Sequence, residues 1–278
     1  MQKATKYLTL HLENSSKKVD NKTTKEKTGA VFQLGYRYKG GYFMVVDMDK
    51  CVGCGQCFLY CPSGAISLVE KKAVIDMDKC VECGTCKRIG ICKKDAFVQQ
   101  TLGWPRYIRA ILSNVSIPAP NTGVGGRGTE EMKTNEVTHR FKPGMVGIGC
   151  EMGRPNIGTS MKDVETIAKV VIAHGGVLEE CNPIMFIMED AATGKVKESY
   201  YGERATSVII EAIIPIDNLK GLLLDLKEAQ HNIDTVFSVD VITVMDGDKI
   251  PTWEICKSVG LEPRPNGKTN VGLGKVTA

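Results

Sequence analysis

The chain has 278 residues, 42% of them apolar, and a formal net charge of +4. That length allows one folded domain or two, and no run of about eighteen apolar residues exists to span a membrane. The charge is uneven: residues 1–41 hold nine Lys or Arg against three acidic residues. The remaining chain is therefore slightly acidic.

In chain order, residues 1–41 read as a basic, flexible arm. Its lysines are interleaved with Asn, Ser, Thr and Glu, without an aromatic platform or a helix or zinc motif. This excludes a nucleic-acid-binding reading and favours an arm that docks a partner. No apolar leader follows Met1, so nothing suggests export and a cytoplasmic setting is expected.

Residues 42–99 carry the chemistry. Eight of the eleven cysteines fall in two near-repeating runs. Cys51, Cys54, Cys57 and Cys61, followed by Pro62, are spaced C-x2-C-x2-C-x3-C-P. Cys80, Cys83, Cys86 and Cys92, followed by Lys93, are spaced C-x2-C-x2-C-x5-C. Three cysteines at two-residue intervals wrap one side of a cubane, and a fourth must come from elsewhere. Zinc needs four ligands, usually as two separated pairs, so a third cysteine in each run is surplus to it. Zinc and disulfides remain the bland alternatives. The flanks repeat too: apolar stretches at 43–47 and 73–76 precede the runs, and 65–69 and 96–98 follow them. Each repeat reads as strand, cysteine loop, helical turn, strand. Gly53, Gly55 and Gly84 sit where backbone must come close to a cluster.

These runs strongly resemble those of two-cluster [4Fe–4S] ferredoxins. The resemblance implies that the fourth cysteine of each run serves the other cluster. One set would then be Cys51, Cys54, Cys57 and Cys92, and the other Cys80, Cys83, Cys86 and Cys61. The second run departs from the family in its five-residue spacing, Lys87–Ile91, and in Lys93 replacing proline. The extra residues are expected to bulge outward. Lys87, Arg88, Lys93 and Lys94 are expected to raise the potential of the cluster that Cys92 serves.

Residues 100–143 read as a Gly-rich connecting segment with one short helix near 104–112. Gly123, Gly125, Gly126, Arg127 and Gly128 form a candidate cofactor-binding loop, since backbone N–H groups in such a loop can cradle an anion. The run lacks the ending of a P-loop, and a plain flexible connection is the alternative. Arg127, Lys133, Arg140 and Arg154 are candidate anion binders, with solvated surface charge as the alternative.

Residues 144–247 show orderly alternation. Strands are expected at 145–149, 184–188, 208–214 and 236–244. One helix starts at a Ser160/Asp163 capping box and stops at Gly175-Gly176; a second is expected to start at Pro215 with Asp217 as its cap. This order is the split βαβ layout. The expected core is Val164, Ile167, Val171, Ile184, Ile209, Leu222, Leu226, Phe237 and Val239. Cys150, Cys181 and Cys256 are expected to be small buried residues. Residues 248–278 read as a C-terminal tail packed as loop. The fold class is thus α+β: a dicluster ferredoxin domain, then a split βαβ (ferredoxin-like, ACT-like) α/β sandwich.

Three stretches, 122–135 (TGVGGRGTEEMKTN), 151–159 (EMGRPNIGT) and 264–274 (RPNGKTNVGLG), are similar to the iron–sulfur part of 6-hydroxynicotinate reductases. That resemblance implies the iron–sulfur portion of an oxidoreductase, passing low-potential electrons from a donor such as ferredoxin to a flavoprotein subunit. The competing readings are a complete flavin-dependent reductase of a heteroaromatic acid and a redox-sensing regulatory protein. No catalytic residue is legible.

Overall fold

The computed structural model describes residues 42–101, 103–123, 125, 141–154 and 157–263. The expected basic arm and the last fifteen residues of the expected tail lie outside them.

The cysteine-rich part is built from two antiparallel pairs. Strand β1 (Tyr42–Val46) pairs with β4 (Phe97–Thr101), and β2 (Ile66–Val69) pairs with β3 (Lys72–Ile75). Glu70 and Lys71 join β2 to β3 with positive φ angles of 49° and 60°, as a two-residue hairpin turn matching strand twist requires. A pseudo-twofold relation links the repeats. The Asp47 N–H donates to the Ala96 carbonyl at 2.7 Å, and the Asp76 N–H to the Ala65 carbonyl at 2.7 Å. Asp47 and Asp76 each accept from the backbone N–H groups two and three residues on. A small core holds Met44, Cys51, Cys57, Ile66, Ala73, Ala96 and Phe97.

The short helix α1 (Thr85–Arg88) follows Cys83. Gly90, at φ 61°, turns the chain back towards Cys92. The extra length of the second run is taken up here, with Arg88, Ile89 and Gly90 exposed and Ile91 packed on the small core. Helix α2 (Tyr107–Ser113) has all seven residues buried; an amphipathic pattern was absent because no face of it meets water.

The second part is a four-stranded antiparallel sheet of β5 (Met145–Met152), β7 (Val177–Leu178), β11 (Val208–Pro215) and β12 (Phe237–Thr243), ordered β12-β5-β11-β7. Two peripheral pairs add β6 (Thr159–Ser160) with β10 (Arg204–Ala205), and β8 (Met188–Asp190) with β9 (Lys195–Val196). Helices α3 (Met161–Ala173) and α4 (Leu219–Ala229) bring Val164, Ile167, Ala168 and Val171 together with Leu219, Leu222, Leu223 and Leu226 in the core. The Ser160 hydroxyl caps α3 by accepting from the Asp163 N–H at 3.1 Å, and the Asp163 carboxylate accepts from the Ser160 N–H. Gly175, at φ 77°, ends it.

Several expectations need correction. The segment 184–188 is not a sheet strand. Pro183–Phe186 forms a 3-10 turn, because the Asn182 side chain caps the Ile184 N–H at 2.9 Å and Pro183 presets φ. The sheet strand is instead the short β7. Asp217 does not cap α4: it lies in a 3-10 turn, Ile216–Asn218, and Asn218 is the cap position, its amide donating to the His174 carbonyl. Ile209 is only half-buried. Strand alternation puts Val208, Ile210, Ala212 and Ile214 inward instead. Phe237 and Val239 on edge strand β12 are also half-buried, while Ile184 is in the core as expected. Cys181 is exposed, whereas Cys150 and Cys256 are buried. The expected loop at 252–263 contains helix α5 (Trp253–Ser258), held against α4 by the Lys227 ammonium on the Val259 carbonyl at 2.8 Å.

Candidate iron–sulfur sites

Two groups of thiols form, and each borrows a cysteine from the other run. In the first, burial pushes the Cys57 thiol up, and the neighbouring Cys54, Cys51 and Cys92 thiols push it the same way. Backbone N–H groups of Ala73 and Gly53, with the Lys72 charge, pull Cys51 down against its burial. In the second, Cys61, Cys80, Cys83 and Cys86 line one cavity with Met44, Val81 and Glu82. Burial pushes Cys80 up to about 12, with the Glu82 carboxylate adding to it. Burial also takes Cys86 to about 12, with Cys83, Cys80 and Cys61 adding to it. These directions describe free thiols; bound iron would lower all of them, because a coordinating thiol is deprotonated.

The surroundings suit sulfur ligated to iron. Backbone N–H groups donate to Sγ of Cys51 from Ala73 (3.4 Å), of Cys61 from Ala65 (3.2 Å) and of Cys92 from Ala96 (3.3 Å). Such bonds favour the thiolate. The exchanged cysteines, Cys61 and Cys92, thus carry the same bond four residues on. Gly53 is at φ 68°, and a Cβ there would stand 1.9 Å from the Lys71 carbonyl oxygen. Only glycine lets the first loop tuck under the β2–β3 turn. Among the described residues no three His, Cys, Asp or Glu side chains converge as the ligands of one ion would. A cubane spreads its four thiolates over four irons, so its ligands do not converge on one point.

The two groups differ in surroundings. The first opens to solvent, with Cys54 exposed. The second lies against α2 and the loop before it. The Arg106 Nε donates to Glu82 at 2.8 Å. Arg109 Nη1 donates to the carbonyls of Met77, Asp78 and Cys80 at 3.1, 3.1 and 2.9 Å, and Nη2 to Gly202. Its Nε pairs with Glu203. These arginines escaped the sequence reading. A lone arginine in an apolar helical stretch, Tyr107–Leu112, was the available signal, since a buried guanidinium must find acceptors.

Lys72 was missed as well; its ammonium sits on the carbonyls of Met48 and Cys51 at 2.7 and 2.6 Å. The charges that were named divide differently than expected. Arg88 reaches the Cys83 carbonyl of the second group and Asn114, not the first group. Lys87 is paired with Asp95 at 3.3 Å. Lys93 and Lys94 are exposed beside Cys92.

Of the candidate glycine loop, Gly123 (φ 71°) and Gly125 are described, while Gly126, Arg127 and Gly128 lie outside the described residues. A Cβ on Gly125 would meet the Val115 carbonyl at 2.2 Å, so the chain's own backbone accounts for that glycine. Lys133 and Arg140 also lie outside. Arg154 is ion-paired with Glu151 at 2.7 Å.

Comparison with known proteins agrees with this part of the chain. Residues 44–67 match the model of the 4Fe-4S binding domain family. Over 34 residues the chain is 50% identical to Ferredoxin-2 of Desulfomicrobium norvegicum, covering 12% of this chain and 58% of that ferredoxin. The chain therefore spans less than two thirds of that relative. No solved structure matches the chain.

Proposed function

We propose that the chain, which carries a ferredoxin-like 4Fe–4S segment suited to iron–sulfur electron transfer, binds two [4Fe–4S] clusters, held by Cys51, Cys54, Cys57 and Cys92 and by Cys80, Cys83, Cys86 and Cys61. The observation that carries this reading is the exchange: Cys92 stands among the first group of thiols and Cys61 among the second. Bound clusters of this kind supply single electrons at low potential. The residues of this chain would hold the thiolates, donate N–H groups to sulfur and tie the second cysteine loop to α2 through Arg109.

The proposal extends to the iron–sulfur portion of a ferredoxin-dependent reductase resembling 6-hydroxynicotinate reductase. A flavoprotein subunit would collect two electrons for ring reduction. The strand order β12-β5-β11-β7, with α3 after β5 and α4 after β11, supports a split βαβ architecture for the second part. The Arg109 link between that part and the second cysteine loop supports a second reading, in which an effector on the split βαβ part adjusts a cluster.

Anaerobic purification tests the first proposal: about eight irons and eight acid-labile sulfides per chain are expected. Four irons, or stoichiometric zinc, overturn it. For the reductase reading, the reduced chain should need an added flavoprotein to reduce 6-hydroxynicotinate. Full turnover by the chain alone replaces that reading with a complete enzyme.

A further inference from the structure

The first cysteine group is surrounded by exposed apolar side chains. Val52, Phe58, Leu59, Leu68 and Val69 are 61%, 43%, 68%, 43% and 52% exposed. Phe58 and Leu68 flank Gly55, since a Cβ there would meet their side chains at 3.1 and 3.3 Å. Water-facing apolar surface around an exposed ligand loop needs a partner to repay it.

The rim of this patch is rich in lysine, with Glu70 in the same turn as Lys71 and Asp95 paired to Lys87. Lys71 sits in the hairpin turn that covers Gly53, and Lys72 lies on the Cys51 carbonyl. Lys93 and Lys94 directly follow Cys92 and are exposed. Lys71, Lys93 and Lys94 make no ion pair with any described residue. An apolar centre with a charged rim is the anatomy of a protein interface.

We propose that the face around Cys54 docks a one-electron carrier protein whose own face has an apolar centre and a carboxylate-rich rim. This rests on the 4Fe–4S reading of the same loop. A second copy of this chain is disfavoured, because a twofold contact would set lysine rim against lysine rim. Opposite charge steers carrier and chain together, and the exposed Cys54 edge brings the exchanging centres close. The second group differs in that Arg106 and Arg109 hold the Cys80 carbonyl of its loop.

The test is anaerobic stopped-flow reduction of the reconstituted full chain by flavodoxin hydroquinone, a small acidic carrier, with reduced methyl viologen as a donor that needs no docking. The flavodoxin rate should fall as salt rises. Lys71→Glu with Lys94→Glu should slow it about tenfold or more at low salt, and Leu59→Ser several-fold. Viologen rates of the same variants should stay within about twofold. Variants as fast as wild type with flavodoxin, or a salt-independent wild-type rate, overturn the docking face. So does loss of binding to anionic lipid vesicles in the lysine variants with no change in the flavodoxin rate. Failure of viologen itself to reduce the wild-type chain would instead sink the 4Fe–4S reading.

Discussion

Arg109 and Glu203, separated by 94 positions in the chain, form an ion pair with side chains only 6% and 11% exposed. The same guanidinium holds three carbonyls of the second cysteine loop and one beside Glu203. One side chain thus fastens the cysteine-rich part to the sheet part.

Removing either partner should therefore be costly. Glu203→Ala leaves a buried charge uncompensated and should cost about 3–5 kcal/mol. Arg109→Met should cost at least as much, and adding Glu203→Ala to it should not restore stability, because four carbonyls stay without their donor. Denaturant unfolding followed by visible absorbance and fluorescence measures this. An unchanged midpoint in Glu203→Ala would show that the pair contributes nothing.

The proposed exchange of ligands makes a crossed prediction. Cys61→Ala should damage the centre of Cys80, Cys83 and Cys86, and Cys92→Ala that of Cys51, Cys54 and Cys57. Electron paramagnetic resonance of each variant, with the two signals assigned, decides the matter. Damage confined to the centre adjacent in sequence refutes the exchange.

Gly53→Ala should lower iron content to about half, since its Cβ would collide with the hairpin carbonyl and φ is left-handed there. Gly64→Ala is the comparison: its φ is also positive but nothing lies within 4 Å of the added carbon. Equal iron retention by both variants would contradict the close approach.

In the sheet domain, Leu226→Ala should cost about 2–5 kcal/mol, as deletions from a packed core do; Leu226 is 2% exposed. A thermal midpoint matching wild type would place that side chain outside the core.

Acid should act through the paired aspartates. The backbone N–H groups of Lys50 and Lys79 hold Asp47 and Asp76 below their ordinary value of 3.8. With a lowered folded-state pKa, the contribution of each turn is present above 3.8 and lost as pH falls below it. Asp47→Ala should bleach faster than wild type at pH 6, and the ratio of rates should narrow as pH drops past 3.8. A ratio constant across that range would remove the aspartates from the acid response.

What was legible in the sequence follows from how local each signal is. Cysteine spacing marks the ligand loops, because a loop around a cluster is a short-range object. The Ser160/Asp163 cap and the Gly175-Gly176 stop located α3 for the same reason. The misses are long-range. Arg109 announces nothing until Met77, Asp78, Cys80 and Glu203 are brought to it. Arg88 looked like a neighbour of Cys92 by sequence distance, yet helix α1 aims it at Cys83. At 183–186 an apolar run resembled a strand, but Asn182 and Pro183 together coil it. The short β7 was invisible because two residues carry no periodicity.

The pairing of β1 with β4 has a consequence for biosynthesis. The first strand leaves the ribosome with no partner, and its Asp47 N–H has no acceptor until Ala96 has been made. The Cys51–Cys57 loop is likewise without its neighbour Cys92 until nearly the same moment. The β2–β3 pair, by contrast, has both its strands before Cys80. On the proposed ligand set, iron delivered before Cys92 has emerged would meet an incomplete first site, so maturation of this segment would be timed by its last strand.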